Sequence, residues 1–320
     1  MIKPILPFEP ISSSEIPEGS KWISQMKWDG VRILSYFEGK DMKLYNRRKN
    51  ERTAHFPEIT QLKSYCKAKS VILDGEVIAL GNNGQPSFRE VMRRDAIRRM
   101  DRVEHLIPAV PVYYMIFDIV FYNGNWVNDL PLRERMDILK EIILPEKHIQ
   151  LTTSHEDGET LFEVTKEKGM EGIISKNLNS KYKLAGKDES WKKIKNMQDT
   201  IAVVGGVTYR NGIVNSLLLG MYDGSKELRY VSHAGTGKLK QADWRALTKL
   251  VEPLKQVDSP FVNQPERIKQ TQWLQPQLTV KILYIEWPKG RSIRQPSIQA
   301  FVDIPPEECI LPEQQTILKL

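Results

Sequence analysis

Apolar and polar positions along this chain alternate in short runs rather than in long periodic blocks. Runs rich in Val, Ile, Tyr and Phe, bounded by Gly, Asn or Asp, fall at 31–37, 71–80, 112–122, 172–176, 201–208, 216–222, 227–233 and 279–287. Each reads as a β-strand. Between some of them the period changes to that of a helix. Such segments are 88–103, 131–143, 159–168 and 241–254, and in the second Leu132, Met136, Leu139 and Ile143 share a face. Helices interrupt the strands over the first two-thirds, whereas strands dominate the last third. This order predicts an α+β domain over 1–198 and then a small all-β barrel over 199–320, joined near 196–200 after a lysine-rich strand. The chain shows no internal repeat and no low-complexity segment.

Composition narrows the picture. The 320 residues, 40% hydrophobic and 27% charged, suit one large globular domain or two modest ones. No stretch approaches the roughly 20 apolar residues of a membrane span. The first twenty residues hold only a short apolar run broken by prolines, unlike a signal peptide, so the expectation is a cytoplasmic protein that does not engage membranes. Two distant cysteines, Cys66 and Cys309, exclude a disulfide scaffold and a four-cysteine zinc site. Carboxylates remain as metal ligands, which favours magnesium or manganese. The net charge of +7 suits a polyanionic partner such as nucleic acid, and equally a mildly basic cytoplasmic protein. The excess is spread along the chain, with no basic tail.

Candidate chemistry starts at Lys27-Trp28-Asp29-Gly30-Val31-Arg32. The strand that follows puts Lys27 at the mouth of a sheet, where an amine crowded by other cations can serve as a nucleophile. A solvated lysine before an Asp-Gly turn has the same pattern. Leu73-Asp74-Gly75-Glu76 sends a carboxylate out of a strand, able to bind a ribose hydroxyl or a metal, or simply to face water. Ser190-Trp191-Lys192-Lys193-Ile194-Lys195 alternates so that Lys193 and Lys195 share a face. Such neighbours repel unless an anion lies between them, although lysines also guard edge strands. Arg94, Arg98 and Arg102 fall four residues apart in the predicted helix 88–103, a face that suits a phosphate backbone or plain solvent. Gly235-Thr236-Gly237-Lys238 is not a P-loop, because the earlier glycine is missing and Leu239 stands where Ser or Thr is required.

In their order along the chain these motifs resemble those of the covalent nucleotidyltransferases: ATP-dependent and NAD-dependent DNA ligases, RNA ligases and mRNA capping enzymes. Lys27–Arg32 resembles the adenylylation motif K-x-D-G-x-R. Leu44–Arg48 followed by Phe56-Pro57-Glu58 resembles S-R-N-G and F-P-E, with Asn46, Arg48 and Lys49 departing from the pattern. Leu73–Glu76 resembles L-D-G-E, Phe117-Asp118 the F-D motif, Glu171-Gly172 through Lys176 the E-G motif, and Trp191–Lys195 the W-x-K-x-K motif. The segments 203–208, 216–220 and 234–237 resemble the oligonucleotide-binding (OB) barrel of these ligases, closest to the ligase domain of bacterial end-joining ligases. A cysteine zinc module and a nicotinamide-binding region, both expected of the NAD-dependent branch, do not fit this chain.

The resemblance implies an ATP-dependent DNA ligase, with a nucleotidyltransferase (adenylation) domain, an OB domain, and magnesium or manganese as cofactor. Lys27 would take AMP from ATP, pass it to the 5′-phosphate of a nicked or broken duplex, and the 3′-hydroxyl would displace it. Gln25, Arg32, Arg47, Glu76, Phe117, Lys187, Lys193 and Lys195 would hold the nucleotide, with Phe117 stacked on adenine. Glu76 and Glu171 would hold the metal, and Arg94, Arg98, Arg291 and Arg294 are the candidate DNA contacts. A Ku-type end-binding partner and a monomeric state belong to the same expectation. There are two departures. Gln25 stands where ligases often have Glu, and Val302-Asp303-Ile304-Pro305 replaces the closing R-x-D-K. A DNA-end-binding protein that lost turnover, and an RNA ligase, remain the alternatives.

Overall fold

The alternating runs of the first two-thirds pair into two sheets. In the computed structural model, residues 2–82, 84–266 and 268–312 are described. Contacts divide the chain into two units, Met1–Asn196 and Met197–Leu320. The first contains β1 (Glu9–Ser12), β2 (Trp22–Met26), β3 (Val31–Phe37), β4 (Met42–Asn46), α1 (Leu62–Tyr65), β5 (Val71–Ala79), α2 (Phe88–Asp95), α3 (Val103–Leu106), β6 (Val112–Tyr122), β7 (Asn125–Trp126), α4 (Leu132–Ile142), β8 (Ile149–Leu151), β9 (Ser154–His155), α5 (Gly158–Glu167), β10 (Gly172–Asn177) and β11 (Lys187–Lys195).

One sheet runs β1-β11-β10-β2-β9 and the other β4-β3-β5-β6-β7, with β8 beside β6. Successive side chains point to opposite faces, so near-continuous apolar runs give each sheet two greasy faces. On the first sheet, Ile173 and Ile194 pack against Leu161 of α5. On the second, Ile33, Leu73, Val77 and Ile116 pack against α1, α2 and α4 through Leu62, Val91, Leu139 and Ile142. The inner faces meet through Phe8, Leu34, Tyr36, Ile72, Phe121, Tyr182 and Trp191, with Phe117 at the margin. The unit is thus layered helix, sheet, sheet, helix.

Two buried charges pin the second sheet. Arg135 of α4 and Asp118 of β6 are both inaccessible to solvent, and Arg135 binds the carboxylate through Nε at 2.7 Å and Nη2 at 3.0 Å. Its Nη1 donates to the carbonyls of Leu130 and Ser180, so the guanidinium is satisfied on every side. Arg94 is also fully buried. It forks onto Glu58 at 2.7 and 2.9 Å and donates to the carbonyls of His55 and Val110.

That inward pull corrects the expected helix over 88–103. The helix ends at Asp95, and a turn and the 3-10 segment Met100–Arg102 precede α3. Arg94, Arg98 and Arg102 therefore do not share a face. Arg94 cannot meet a phosphate backbone, because it is fully buried and both its Nη groups are spent on Glu58 and on carbonyls.

The second unit contains β12 (Gln198–Arg210), β13 (Ile213–Tyr222), β14 (Leu228–Ala234), α6 (Gln241–Leu250), β15 (Lys255–Gln256), β16 (Thr271–Tyr284) and β17 (Ser297–Val302). The order is β14-β13-β12-β16-β15, with β17 further along the same edge of β16 as β15, away from β12. The sheet curls until its far edges meet. Ile298 of β17 exchanges bonds with the segment after β14, donating to the Thr236 carbonyl and accepting from the Lys238 amide, both at 2.8 Å. Gly237 at this seam has φ +144°, and a Cβ there would sit 2.0 Å from the Ile298 carbonyl oxygen, so only glycine allows the closure. Val204, Leu217, Leu219, Val280, Ile282 and Ile298 fill the interior, which α6 caps with Leu247. The expected strand 279–287 begins earlier, at Thr271, and ends at Tyr284. Gln272, Gln275 and Gln277 had masked its first half.

Truncating Arg135 to Ala strands a buried carboxylate. We expect Arg135→Ala to lose about 3–5 kcal/mol in the first unit's urea transition, against a much smaller loss for an exposed charge such as Lys140→Ala.

Candidate active site

Register decides which side chains of the first sheet face inward together. Gln25, Ile174 and Lys193 lie in one row across β2, β10 and β11, and Ile23, Lys176 and Trp191 in the row two residues deeper. One row outward, the Lys27 amide donates to the Gly172 carbonyl at 2.9 Å, and Gly172 pairs with Lys195. Strand alternation puts all of these on the face toward the second sheet. The deep end is plugged by Trp191 and its aromatic neighbours, and the outer end is charged.

Two glycines build that charged end. Gly172 has φ +129°, and a Cβ there would lie 2.1 Å from the Ile194 carbonyl oxygen. Its absence lets β10 start directly under Lys27 and places Glu171 beside the amine. Gly30 presses against β5, where a Cβ would lie 2.3 Å from the Val77 carbonyl oxygen. This sets β3 so that Arg32 pairs in register with Glu76. The spacing of Lys27, Gly30 and Arg32 thus reflects one crossing from the first sheet to the second.

Glu171 holds two lysines. Lys27 Nζ donates to Oε2 at 2.5 Å and Lys195 Nζ lies 3.1 Å from Oε1. Burial works against its charge, but Lys27 and Lys195 outweigh it and hold the carboxyl below its usual range. Lys193 is pushed the other way, below the usual lysine range, by burial and then by the charges of Lys195, Lys187 and Lys27. Lys187 itself is exposed at the start of β11. Glu76 is crowded by protein, and burial pushes its carboxyl up to about 8, with Lys27 and Arg32 opposing and Asp74 and Glu171 reinforcing.

Arg32 does not point freely into this space. Its Nε and Nη2 bind buried Asp74 at 2.9 and 2.5 Å, and the Tyr182 hydroxyl donates to the same carboxylate at 2.6 Å. Its guanidinium carbon lies 5.3 Å from the Phe117 ring centroid. Gln25 is buried and donates to Ser154 Oγ at 2.9 Å.

The structure thus gathers Lys27, Arg32, Glu76, Glu171, Lys187, Lys193 and Lys195, with Gln25 and Phe117 deeper in. Arg47 is exposed in the turn after β4, and Arg98 is exposed beyond α2. In the second unit Arg291 is exposed, and Arg294 is paired with Glu286 at 2.6 Å. Sequence reasoning assigned no role to Asp74, Tyr182 or Lys176. Asp74 lies inside a recognised motif, but its pairing with Arg32 is a cross-strand fact that linear spacing does not carry.

With this geometry in view, comparison with known proteins is informative. Residues 9–195, more than half of the chain, match the family profile of the ATP dependent DNA ligase domain, and 210–302 match that of the ATP dependent DNA ligase C terminal region. The chain belongs to the ATP-dependent DNA ligase family. It is 30% identical over 270 residues to a DNA ligase of Thermococcus onnurineus, covering 79% of this chain and 48% of that protein. The multifunctional non-homologous end joining DNA repair protein LigD of Mycobacterium tuberculosis is 29% identical over 287 residues, covering 88% of this chain and 36% of LigD. The SPbeta prophage-derived DNA ligase-like protein LigB of Bacillus subtilis is 31% identical over 217 residues, covering 67% of this chain and 75% of LigB. The chain spans about half or less of the length of several of the curated relatives it matches.

Among solved structures, mycobacterial DNA ligase D complexed with ATP and MES is 26% identical with a TM-score of 0.54, covering 95% of this chain and 97% of that one. The fold expectation is met: a ligase adenylation domain precedes an OB domain. No helix among the described residues is long and apolar enough to cross a membrane.

Glu76 provides a test of this ligase-family site. Its proton is held in the folded state up to about pH 8 but is lost near 4.5 from the unfolded chain. Wild-type stability therefore falls as pH rises through that window. In buffer containing a chelator and no nucleotide, Glu76→Gln lacks this loss. Its melting temperature should match wild type near pH 4.5 and exceed it progressively to pH 8. Parallel melting curves across the range would show that Glu76 is not held neutral.

Proposed function

We propose that this chain is an ATP-dependent DNA ligase that seals breaks in duplex DNA through a covalent lysyl-AMP. The observation that carries the reading is the Lys27–Glu171–Lys195 chain at the mouth of the cleft, with Lys193 beside it. A nucleophilic amine must be held in line with the bond it displaces, and Glu171, which accepts the Lys27 hydrogen bond, orients it. The Lys27 nitrogen forms a bond to the α-phosphorus of ATP as the bond to the β-phosphate oxygen breaks and pyrophosphate leaves. Lys193 and Lys195 face the phosphates and offset their charge. The AMP then passes to a 5′-phosphate at the break, giving a DNA-adenylate, and attack by the 3′-hydroxyl releases AMP. Gln25, Arg32, Arg47, Glu76, Phe117 and Lys187 complete the nucleotide site in this reading. Arg98, Arg291 and Arg294 are the candidates for contact with DNA.

Among the described residues no group of three or more His, Cys, Asp and Glu gathers as a metal site. Magnesium demands six oxygens and commonly takes one or two carboxylates plus substrate phosphates. Glu76 and Glu171 fit an ion that arrives on the nucleotide's phosphates rather than a resident one. When bound, such an ion would neutralise charge building on the α-phosphate. The kinship with LigD supports DNA repair and end joining as the setting, beside a Ku-type partner, for a monomeric cytoplasmic enzyme.

The test is incubation with α-phosphate-labelled ATP and magnesium, then a denaturing gel. Wild type should keep the label and Lys27→Ala should lose it entirely. Glu171→Gln should label at least about 100-fold more slowly. The labelled protein, chased with nicked duplex DNA, should yield sealed strands. If intact mass shows no AMP on wild type, before or after incubation, the alternative of a DNA-end-binding protein without turnover replaces this one; Val302–Pro305, where R-x-D-K is expected, is the feature that favours it.

A further inference from the structure

Lys176 has no part in the chemistry above, yet it occupies an unusual place. Its side chain is 2% exposed at the deep end of the cleft. The ammonium lies 4.3 Å from the Phe117 ring centroid and 4.0 Å from that of Trp191. It also makes a long bond of 3.5 Å to the Phe117 carbonyl oxygen. A cation against two aromatic faces is held by the ring quadrupoles, and more strongly when desolvated. The Lys176 row lies two steps inward from the Lys27 row, each step about 7 Å along the strands. A nucleotide with its α-phosphate at Lys27 therefore extends its ribose and base along this face toward Phe117.

We propose that the Lys176 ammonium is a positioning residue, holding the Phe117 ring from inside the cleft in the orientation that stacks on the nucleotide base. The proposal rests on the reading of Lys27 as the site of AMP transfer. Lys176 acts through Phe117 and touches neither phosphate nor the reacting atoms. Its charge is poised. Burial pulls the amine down to about 7, while Asp118 of β6 and Asp74 of β5 support the charge and Arg32 of β3 and Arg135 of α4 oppose it. Loss of the proton removes the cation from the ring, so base stacking should weaken as pH rises through neutrality.

The experiment measures equilibrium binding of ATP to the full chain without divalent metal between pH 6 and 9. Wild type, Lys176→Arg and Lys176→Met are compared, with tripolyphosphate as a probe that has no base. At pH 6.5 the Met variant should bind ATP about tenfold more weakly than wild type, while the Arg variant, which keeps the cation, stays within about threefold. Wild type should follow the Arg variant at low pH and converge on the Met variant by pH 8.5. Tripolyphosphate should bind all three alike. Glu76 titrates in the same range but is common to all three proteins, so the readout is the difference between profiles. Equal ATP affinity and parallel pH profiles for wild type and the Met variant would overturn the proposal. So would an equal loss of ATP and tripolyphosphate binding in the Met variant, which marks general damage to the cleft. A wild type that takes no AMP label and binds no ATP overturns the ligase reading as well.

Discussion

Glu171 is one carboxylate serving two ammonium groups, and the arrangement of the cleft mouth follows from it. Without an anion there, Lys27 and Lys195 would face each other from either side of β10, with Lys193 close by and Lys187 adding to the repulsion. The carboxylate makes this concentration of positive charge tolerable in the absence of ligand, at the place where the proposed function seats a polyphosphate. It also fixes the direction of Lys27, because the acceptor sits on the turn into β10 that Gly172 makes possible. A site that must hold a strongly negative ligand yet remain folded without one needs such an internal counter-ion.

Deeper in the cleft the same problem is solved differently. Arg32, Asp74, Asp118, Arg135 and Lys176 are buried or nearly so, and each is matched by an opposite charge or an aromatic face. Arg32 and Asp74 pair across adjacent strands of one sheet and Arg135 and Asp118 pair from helix to sheet, so none can be removed without leaving its partner stranded. Phe117 sits among them, touched by two cations while its apolar edge faces the aromatic cluster. A fully apolar core would leave the ring free to turn. The surrounding charges limit that freedom, which suits the proposed stacking of a flat base on the ring.

Much of this was legible in the chain. The strands at 31–37 and 112–122 coincide with β3 and β6, because both are apolar on two faces and need no tertiary information. The charged end of the cleft was legible too, since Lys27, Glu76, Glu171, Lys193 and Lys195 stand in motifs whose spacing follows strand geometry. β2 was not, because Ser24 and Gln25 read as polar punctuation. In the fold they are buried and satisfied by Ser175 and Ser154. Arg94 misled for the opposite reason: its helical spacing from Arg98 and Arg102 suggested a solvent face, but the partner that draws it inward, Glu58, lies 36 residues earlier. Lys176 was visible only as the last letter of a motif, and its aromatic surroundings come from two other strands, β6 and β11.

The seam at Gly237 bears on the order in which the molecule is made. Ile298 closes the barrel onto a segment about sixty residues earlier. During synthesis the meander β12-β13-β14 therefore emerges with both outer strands unpaired. The β12 edge waits for β16, and the β14 edge waits longer still, for β17 and the strap before it. Closure has high contact order, so its entropy is lost before its bonds are made, and the barrel is a late and slow event on the ribosome. Until then two open edges and their apolar interior are offered to other chains, which makes this seam the step at which nascent protein partitions between folding and aggregation.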